Sequence, residues 1–298
     1  MARFSSAINQ HTAALRMLLT MTVILGVGYT AALTAVAQLP GLRSSANGSL
    51  IKGPDGKIVG SKLIGQSFTD DKGNPLVQYF QSRPSAAGTG YDPTATGASN
   101  LGPESVTDVL PDPKNKKDQG TQSLLTQVCS RSIAVGQLEN VDGARPFCTA
   151  SGVGAVLSVY FSGPNYTGSP VRAVSINEAC PAAPFIKTYR GAPVVCGTYG
   201  ESYSLGKIIP IRGTAPAHPI VPADAVTASA SGLDPEITPA YAKLQEKRVA
   251  NARHITVAEV DALVHKHTRG RALGFMGEPG VNVLELNIDL DKSHPFAK

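Results

Sequence analysis

The sequence has 298 residues and a formal net charge of +5, and its basic residues form no runs, which gives no basis for nucleic-acid binding. Its 30 Gly and 22 Pro residues exceed the average but fall short of a disordered composition, so they favour short strands joined by many turns. The length beyond the first apolar segment suffices for one large domain or two small ones.

An uncharged apolar run over residues 17–37 lies close to the N-terminus. About twenty helical residues cross a hydrocarbon core about 30 Å thick, so the run predicts a transmembrane helix over residues 16–37. Arg3 and Arg16 precede the run, and the first acidic residue is Asp55. Because positive residues stay on the cytoplasmic side, this pattern predicts a cytoplasmic N-terminus and an extracytoplasmic remainder.

The alternative interpretation is a cleaved secretory signal, because Ala35-Val36-Ala37 resembles a cleavage site. The apolar run exceeds the core of about 7–15 residues that is typical of such signals, which favours a retained anchor. Both interpretations export the residues after the run. With a retained anchor, residues 1–15 stay in the cytoplasm and the protein is a single-pass protein of the plasma (inner) membrane.

Small residues recur every four positions along this run, at Thr22, Gly26, Thr30 and Thr34. Residues four apart lie on one side of a helix, and small side chains let a second helix approach closely in lipid. The stripe therefore predicts packing against a partner helix in a larger membrane complex. The alternative is chance, since Thr and Gly are common in membrane helices.

The four cysteines are Cys129, Cys148, Cys180 and Cys196. An even number in an exported region predicts two disulfides, for which three pairings exist. The sequential pairing closes the shortest loops and is favoured. A zinc site is the alternative, but it would call for close Cys-x-x-Cys pairs, which the sequence lacks.

Turn residues divide the region after the apolar run. Residues 47–68 predict a hairpin, because an Asp-Gly turn separates two apolar-rich runs. Residues 70–75 form a loop by their turn chemistry, and residues 82–103 are expected to be irregular. Residues 106–216 contain all the cysteines and several short β-like runs, so we predict a β-rich, disulfide-stapled insertion.

The last part of the chain is expected to be mostly helical. Thr238 offers an N-cap for a helix over residues 239–253, with Pro at its first position. Thr256 and Glu259 form a capping box for a second helix. Residues 284–290 alternate apolar and polar side chains, which predicts a half-buried strand.

The predicted fold class is therefore a single N-terminal transmembrane helix plus an α+β extracytoplasmic domain with a β-rich, disulfide-containing insertion.

Catalytic motifs are missing from the sequence. It contains neither a phosphate-binding P-loop nor the Gly-x-Ser-x-Gly turn of α/β-hydrolases. His265 and His267 are two residues apart on a predicted helix, so they point to different sides and suit the surface better than a metal site. We predict no catalytic residue, no metal site and no cofactor bound by the chain itself.

Several polar blocks are too specific for plain loops. In chain order they are LIGQ (63–66), YFQSRPSA (79–86), SNLGP (99–103), VPADAVTAS (221–229), SGLDP (231–235), RALGF (271–275) and GEP (277–279). Taken in this order after one membrane helix, they closely resemble the C subunit of the Kdp potassium-transporting P-type ATPase. The resemblance covers roughly residues 15–105 and 217–290.

The resemblance implies one membrane helix, an extracytoplasmic domain and a complex with three partners. These are a channel-like A subunit that carries potassium, a B subunit that forms an aspartyl phosphate and a small F subunit. It implies an accessory, non-catalytic role in assembly and in raising the ATP affinity of the B subunit, with ATP and potassium handled by the complex. The alternatives are an independent exported binding domain and an exported hydrolase.

The topology limits how such a role can work. A domain outside the cell cannot touch cytoplasmic ATP, so an effect on nucleotide affinity must pass through a conformational equilibrium. A cap on the potassium entrance is the physically simpler interpretation.

The chain departs from the family pattern in four places, one of which is that Asn100-Leu101-Gly102-Pro103 continues into Glu104-Ser105-Val106 instead of the usual Thr/Ser-Asn-Pro. Residues 106–216 resemble an insertion between the first part of the extracytoplasmic domain, residues 38–105, and its second part, residues 217–298. Glu236 stands where the family commonly has His, and Gly280 where it commonly has Arg.

The resembling blocks supply the candidate residues that face a ligand or partner. They are Gln66, Arg83, Ser85, Asn100, Asp234 and Glu278. Structural roles compete with this interpretation, because Arg83 can brace a loop while Asn100 and Asp234 suit turn caps.

Overall fold

The computed structural model describes residues 2–53 and 55–296, and it divides the chain into two compact units with a boundary between Leu63 and Ile64. The N-terminal unit begins with one continuous helix. It consists of α1 (Ala2–Met21), a π-helical segment (Thr22–Tyr29) and α2 (Thr30–Ala37).

Within the described residues, Ile8–Ala37 is the one helical stretch that is long and apolar enough to cross a membrane, and none of it is buried in the chain. The helix contains the predicted span, residues 16–37, and begins earlier than expected.

A short helix and a hairpin complete the N-terminal unit. They are α3 (Arg43–Ala46), β1 (Leu50–Lys52) and β2 (Ile58–Ser61). The two strands pair antiparallel, as the Asp-Gly signal predicts. In the turn, the Asp55 carboxylate accepts a hydrogen bond from the Lys57 N–H at 3.1 Å. Residue 54 of the predicted turn lies outside the described residues.

The first half of the larger unit contains one helix and a five-stranded sheet. The elements are α4 (Leu124–Glu139), β3 (Val156–Phe161), β4 (Pro170–Ala179), β5 (Thr188–Tyr189), β6 (Ala192–Gly197) and β7 (Lys207–Pro210), with a 3-10 turn at Pro164–Tyr166. The strand order is β5-β6-β4-β3-β7, and only the β4–β6 pair is parallel. Apolar side chains cover both faces, Val156 and Val174 on one and Leu157 and Val194 on the other.

Two disulfides fasten this half. Cys129 of α4 is bonded to Cys148, with 5.5 Å between their Cα atoms. Cys180, just after β4, is bonded to Cys196 of β6, with 5.1 Å between their Cα atoms. The favoured sequential pairing is therefore confirmed.

The helix α4 was not predicted within the β-rich insertion. Ser123 caps its N-terminus by accepting a hydrogen bond from the Thr126 N–H, and Asn140 ends it in the left-handed conformation. Its last residue, Glu139, accepts hydrogen bonds at 2.9 and 3.1 Å from the Arg248 Nε in the second half. Residues 106–216 are thus β-rich only in part, and α4 packs against the core of the larger unit.

The second half of the larger unit is helical with one small sheet. Its elements are a 3-10 turn (Ala223–Ala225), β8 (Glu236–Ile237), α5 (Pro239–Arg253), α6 (Val257–Lys266), β9 (Thr268–Arg269), β10 (Gly280–Asn282) and α7 (Val283–Ser293). Both predicted helices are confirmed with their caps: Thr238 accepts from the Tyr241 N–H, and Thr256 and Glu259 form the capping box. The strand order is β8-β10-β9, antiparallel throughout.

The predicted strand over residues 284–290 is wrong, because these residues form α7. Asn282 caps the helix by accepting a hydrogen bond from the Glu285 N–H. The core contains Val283, Leu286 and Leu290, which recur at helical spacing. Asn287 is buried on the same side of the helix, whereas an alternating strand would leave it in solvent.

An irregular segment, residues 77–81, runs between α5 and α7 with its main chain bonded to side chains. Asn287 accepts from the Phe80 N–H and donates to the Phe80 carbonyl oxygen, both at 2.9 Å. Gln245 does the same for Gln81, at 2.6 and 3.1 Å. These two buried side-chain amides therefore form the hydrogen bonds to the backbone that a neighbouring strand would otherwise form.

Replacing Gln245 with Leu should destabilise the larger unit. The change leaves the buried N–H and carbonyl of Gln81 without partners, and each such group costs about 1–3 kcal/mol. We expect the free energy of unfolding to fall by about 3 kcal/mol. Urea unfolding of the full chain in detergent measures this loss.

The matched control is Gln137→Leu on the exposed side of α4. It should change stability by less than about 0.5 kcal/mol. Equal losses of unfolding free energy in the two variants would contradict the role of the Gln245 amide as the partner of the Gln81 backbone.

Candidate functional site

Arg83 and Asp234, two of the candidate residues, form an ion pair across the larger unit. Their Nη1 and Oδ2 atoms are 3.1 Å apart, and both side chains are partly buried. The other terminal nitrogen of Arg83 donates to the carbonyls of Thr227 and Ala228, at 3.4 Å each. The guanidinium thus ties block 79–86 to blocks 221–229 and 231–235.

Ser85 lies beside this pair and organises the backbone around it. Its hydroxyl donates to the Gly232 carbonyl at 2.8 Å and accepts from the N–H groups of Ala87 and Tyr91 at 3.2 and 2.8 Å. Gly232 has φ +73, and a Cβ there would approach Ala87, so the close contact requires glycine. The serine therefore fixes a tight loop between residues 85 and 91.

Tyr91 closes the loop from the other side. Its hydroxyl donates to the Arg83 carbonyl oxygen at 2.8 Å. Burial raises the pKa of Tyr91 to about 12, so the hydroxyl keeps its proton and remains a donor. Together, Arg83, Ser85, Tyr91 and Asp234 form a connected group of side chains that we call the Arg83 cluster.

Gln66 adjoins the Arg83 cluster through its backbone. Its carbonyl oxygen accepts from the Ser82 hydroxyl at 2.8 Å. The preceding residue, Gly65, donates its N–H to the Leu233 carbonyl at 2.9 Å. A Cβ at Gly65 would overlap the Asp234 carbonyl oxygen and the Tyr91 ring, so this close approach explains the glycine of the LIGQ block.

A polar cavity of about 300 Å³ opens next to the Arg83 cluster. Its lining includes hydroxyl groups and the guanidinium, from Ser67, Thr69, Ser82, Arg83, Ser85 and Thr89. Among the described residues, the Arg83 Nε is the one buried side-chain nitrogen or oxygen without a hydrogen-bond partner. The cavity lining is therefore polar, although the Ser82 and Ser85 hydroxyls already donate to the Gln66 and Gly232 carbonyl oxygens.

The remaining two candidates have separate surroundings. Asn100 is exposed and adopts φ 54, a left-handed conformation that Asn tolerates better than most residues. Glu278 is exposed and pairs with Arg271, with 2.6 Å between Oε2 and Nη2. Neither hydrogen bond nor ion pair joins them to the Arg83 cluster in the part of the chain that the structure describes.

Sequence reasoning missed Tyr91, which lies outside the resembling blocks. The available signal was a lone aromatic residue within the Gly- and Ser-rich residues 82–103. Residues 2–53 and 55–296 contain no group of three or more His, Cys, Asp or Glu side chains that could hold a metal ion.

The small-residue stripe lies on the N-terminal helix, with its residues exposed. Thr22 and Gly26 fall in the π-helical segment. The Thr34 hydroxyl donates to the Thr30 carbonyl at 2.8 Å, so it is satisfied within the helix. A Cβ at Gly26 would meet no atom within 4 Å, which leaves this face open to a neighbour.

Comparison with known proteins identifies a family. The family model described as "K+-transporting ATPase, c chain" matches residues 11–121 and 210–292. The unmatched residues between these segments lie inside the predicted insertion, residues 106–216.

Curated relatives match almost the whole chain. The potassium-transporting ATPase KdpC subunit of Kineococcus radiotolerans is 36% identical over 291 residues, covering 98% of this chain and 97% of that protein. The KdpC subunit of Mycobacterium tuberculosis is 34% identical, covering 94% and 96%. That of Beijerinckia indica is 33% identical, covering 94% and 92%.

These alignments also run through the stretch that the family model leaves unmatched, so the predicted insertion is common to this chain and these relatives. The two matched segments contain the Arg83 cluster, and the relatives are similar to this chain over nearly their full length. The chain therefore belongs to the KdpC family.

Proposed function

We propose that the chain is an accessory, non-catalytic subunit of a high-affinity, ATP-driven potassium import complex. The observation that carries this proposal is the match to relatives named as KdpC subunits over 94–98% of the chain. The proposed partners are the Kdp A, B and F subunits. ATP and potassium are handled by the complex, and the chain binds no cofactor of its own.

The proposed topology is a single-pass anchor in the plasma (inner) membrane with the larger unit outside the cytoplasm. Arg3 and Arg16, which precede the apolar run over residues 17–37, support a cytoplasmic N-terminus. The two disulfides support an oxidising compartment for the larger unit, because they persist outside the cytoplasm.

The proposed role is to support assembly, to cover the extracytoplasmic potassium entrance and to raise the ATP affinity of the ATPase subunit. The Arg83 cluster supports the second role, since a polar cavity of about 300 Å³ opens beside it as a place for polar groups of a partner. The effect on ATP is then a coupling across the membrane, in which the cap stabilises one state of the transporter.

The first experiment is purification of the full chain, tagged at its C-terminus, from potassium-starved membranes. We expect a P-type ATPase subunit and a multi-span, channel-like subunit in the eluate, and no ATP hydrolysis by the chain alone. Mass spectrometry identifies the partners. Recovery of the chain alone from a soluble exported fraction, without residues 1–37, would support an independent exported binding domain or hydrolase instead.

Replacing Gly26 with Leu should weaken assembly, because a bulky side chain separates helices that pack through small residues. We expect about tenfold less partner subunit to co-purify with the full chain, the loss that corresponds to about 1.4 kcal/mol. Quantitative mass spectrometry of the eluate measures the ratio.

Gly28→Leu is the matched control, in the same π-helical segment but off the stripe. The described residues leave room at both positions, since apart from the adjacent helix backbone a Cβ at Gly28 would come no closer than 3.8 Å to another atom, the Val23 carbonyl oxygen. Equal assembly of the two variants would exclude the stripe as a packing surface.

Replacing Arg83 with Lys should impair regulation of the assembled complex. A single ammonium cannot hold Asp234 and the carbonyls of Thr227 and Ala228 in the same fork geometry. We expect the ATP concentration for half-maximal potassium-dependent ATPase activity to rise about fivefold, at the low end of measured coupling.

Arg172→Lys is the control, because Arg172 and Glu201 form an exposed ion pair at 3.0 Å on the sheet. It should leave the ATP dependence unchanged. If Arg83→Lys also leaves it unchanged in an assembled complex, the Arg83 cluster takes no part in the coupling.

A further inference from the structure

The net charge of the chain lies entirely in its N-terminal unit. Residues 1–63 contain six basic residues and one acidic residue, a net charge of +5. Residues 64–298 contain 21 basic and 21 acidic residues, so the larger unit is neutral. Charge asymmetry between parts of a chain is typical of contact with nucleic acid or a membrane surface, and the apolar helix in the same unit favours the membrane.

Most of this charge follows the apolar helix directly. Residues 38–63, which come after α2, carry a net charge of +3, and their basic residues are Arg43, Lys52, Lys57 and Lys62. Within the described residues, no ion pair involves Arg43 or Lys52. Lys57 pairs with Asp55 only at 3.9 Å, with both side chains exposed. Arg43, Lys52 and Lys57 therefore keep most of their charge for an external partner.

Folded turns hold this segment close to the end of the helix. The Leu39 carbonyl accepts from the N–H groups of Leu42 and Arg43 at 3.0 and 3.1 Å, and the Ser44 carbonyl accepts from the Ser49 N–H at 2.8 Å. Compact turns rise about 1.5–2 Å per residue, so β1 begins within about 25 Å of the end of α2. Where the apolar helix spans a membrane, the β1–β2 hairpin thus lies near the membrane surface.

One face of this hairpin combines a cation with exposed apolar side chains. Leu50 and Lys52 are two residues apart on β1, and Ile58 of β2 is the cross-strand partner of Lys52, so the three share a face. Leu50 and Ile58 are 52% and 59% exposed. Basic groups beside large apolar side chains also bind amphipathic helices to anionic membranes, where the apolar groups reach the boundary between headgroups and acyl chains.

We propose that the β1–β2 hairpin rests on the anionic phospholipid headgroups around the end of the apolar helix. Arg43, Lys52 and Lys57 lie beside lipid phosphates, and Leu50 and Ile58 reach the acyl boundary. The proposal rests on the retained anchor of the proposed function and requires no other subunit. Because residue 64 follows this segment directly, docking also fixes the point at which the chain of the larger unit leaves the membrane surface.

A lipid surface suits this charge better than a protein partner does. Lipid surrounds every membrane-spanning helix, and each Lys or Arg near an anionic surface strengthens binding by about fivefold. The larger unit has no net negative charge that would draw the hairpin toward it instead. The headgroup layer is about 5–8 Å deep, which is within reach of long basic side chains on a hairpin at the surface.

The test is quenching of a fluorophore on the hairpin by lipid, in the purified complex reconstituted into vesicles. All four cysteines are in the two disulfides, so Ile58→Cys supplies a single thiol for the dye. The vesicles contain equal parts of phosphatidylglycerol and phosphatidylcholine, with a brominated lipid as the quencher. In the control, Leu205→Cys carries the dye at a position that is 82% exposed in the larger unit. We expect most of the fluorescence to be quenched at position 58 and none at position 205.

A second variant tests the contribution of charge. Arg43→Gln, Lys52→Gln and Lys57→Gln together should lower the ratio of docked to undocked hairpin by about a hundredfold, and the quenching at position 58 should fall with it. The three side chains are exposed, so the thermal unfolding midpoint of the full chain should not change.

The matched control removes the same charge from the larger unit. Lys114→Gln, Lys116→Gln and Lys117→Gln replace three exposed lysines far along the chain from the hairpin. Quenching at position 58 should remain as strong as in the chain that keeps these lysines.

The outcomes separate this proposal from the proposed function. If the complex is intact but position 58 is not quenched, docking alone is overturned. Equal quenching in vesicles of phosphatidylcholine alone, or after loss of the three charges near the helix, would overturn it as well. If no other subunit co-purifies, the accessory role fails, and quenching in the full chain alone would still support docking. Recovery of a chain without residues 1–37 would overturn both.

Discussion

Residues 77–81 run from the exposed Val77 into the core of the larger unit at the buried Phe80 and Gln81, and side chains of α5 and α7 bond their backbone polar groups. Besides the amides of Gln245 and Asn287, Arg248 donates to the Val77 and Tyr79 carbonyls. Arg253 donates to the Gln78 carbonyl at 2.8 Å. Since an unpaired buried amide or carbonyl costs about 1–3 kcal/mol, the position of this segment is tightly specified.

The course of the next residues along the chain depends on that constraint. Residues 82–91 follow directly after residues 77–81, so the position of that segment determines where they begin. Their path brings Arg83 to Asp234 and Ser85 to Gly232. The Arg83 cluster is therefore a rigid feature although it is built almost entirely from irregular backbone. Its rigidity comes from the helices behind it, which is how loops at binding sites are usually supported.

The stretch that the family model leaves unmatched is joined to the same core through α4. Arg131 and Arg145 donate to the carbonyls of Val226 and Val221. Burial raises the pKa of Glu139, and the adjacent Arg248 guanidinium opposes that shift and keeps a charge partner in place. Removing α4 would therefore leave Arg248 without its ion-pair partner Glu139.

Local signals in the sequence determined the apolar N-terminal helix, the hairpin and the caps of α5 and α6, because each depends on residues close together in the chain. Tertiary structure alone decided the rest. The alternation over residues 284–290 also fits a helix, and only packing against the core selects α7. Arg83 and Asp234 are 151 positions apart, so no local pattern reveals their contact. The place of α4 likewise depends on which distant segments the buried side chains bring together.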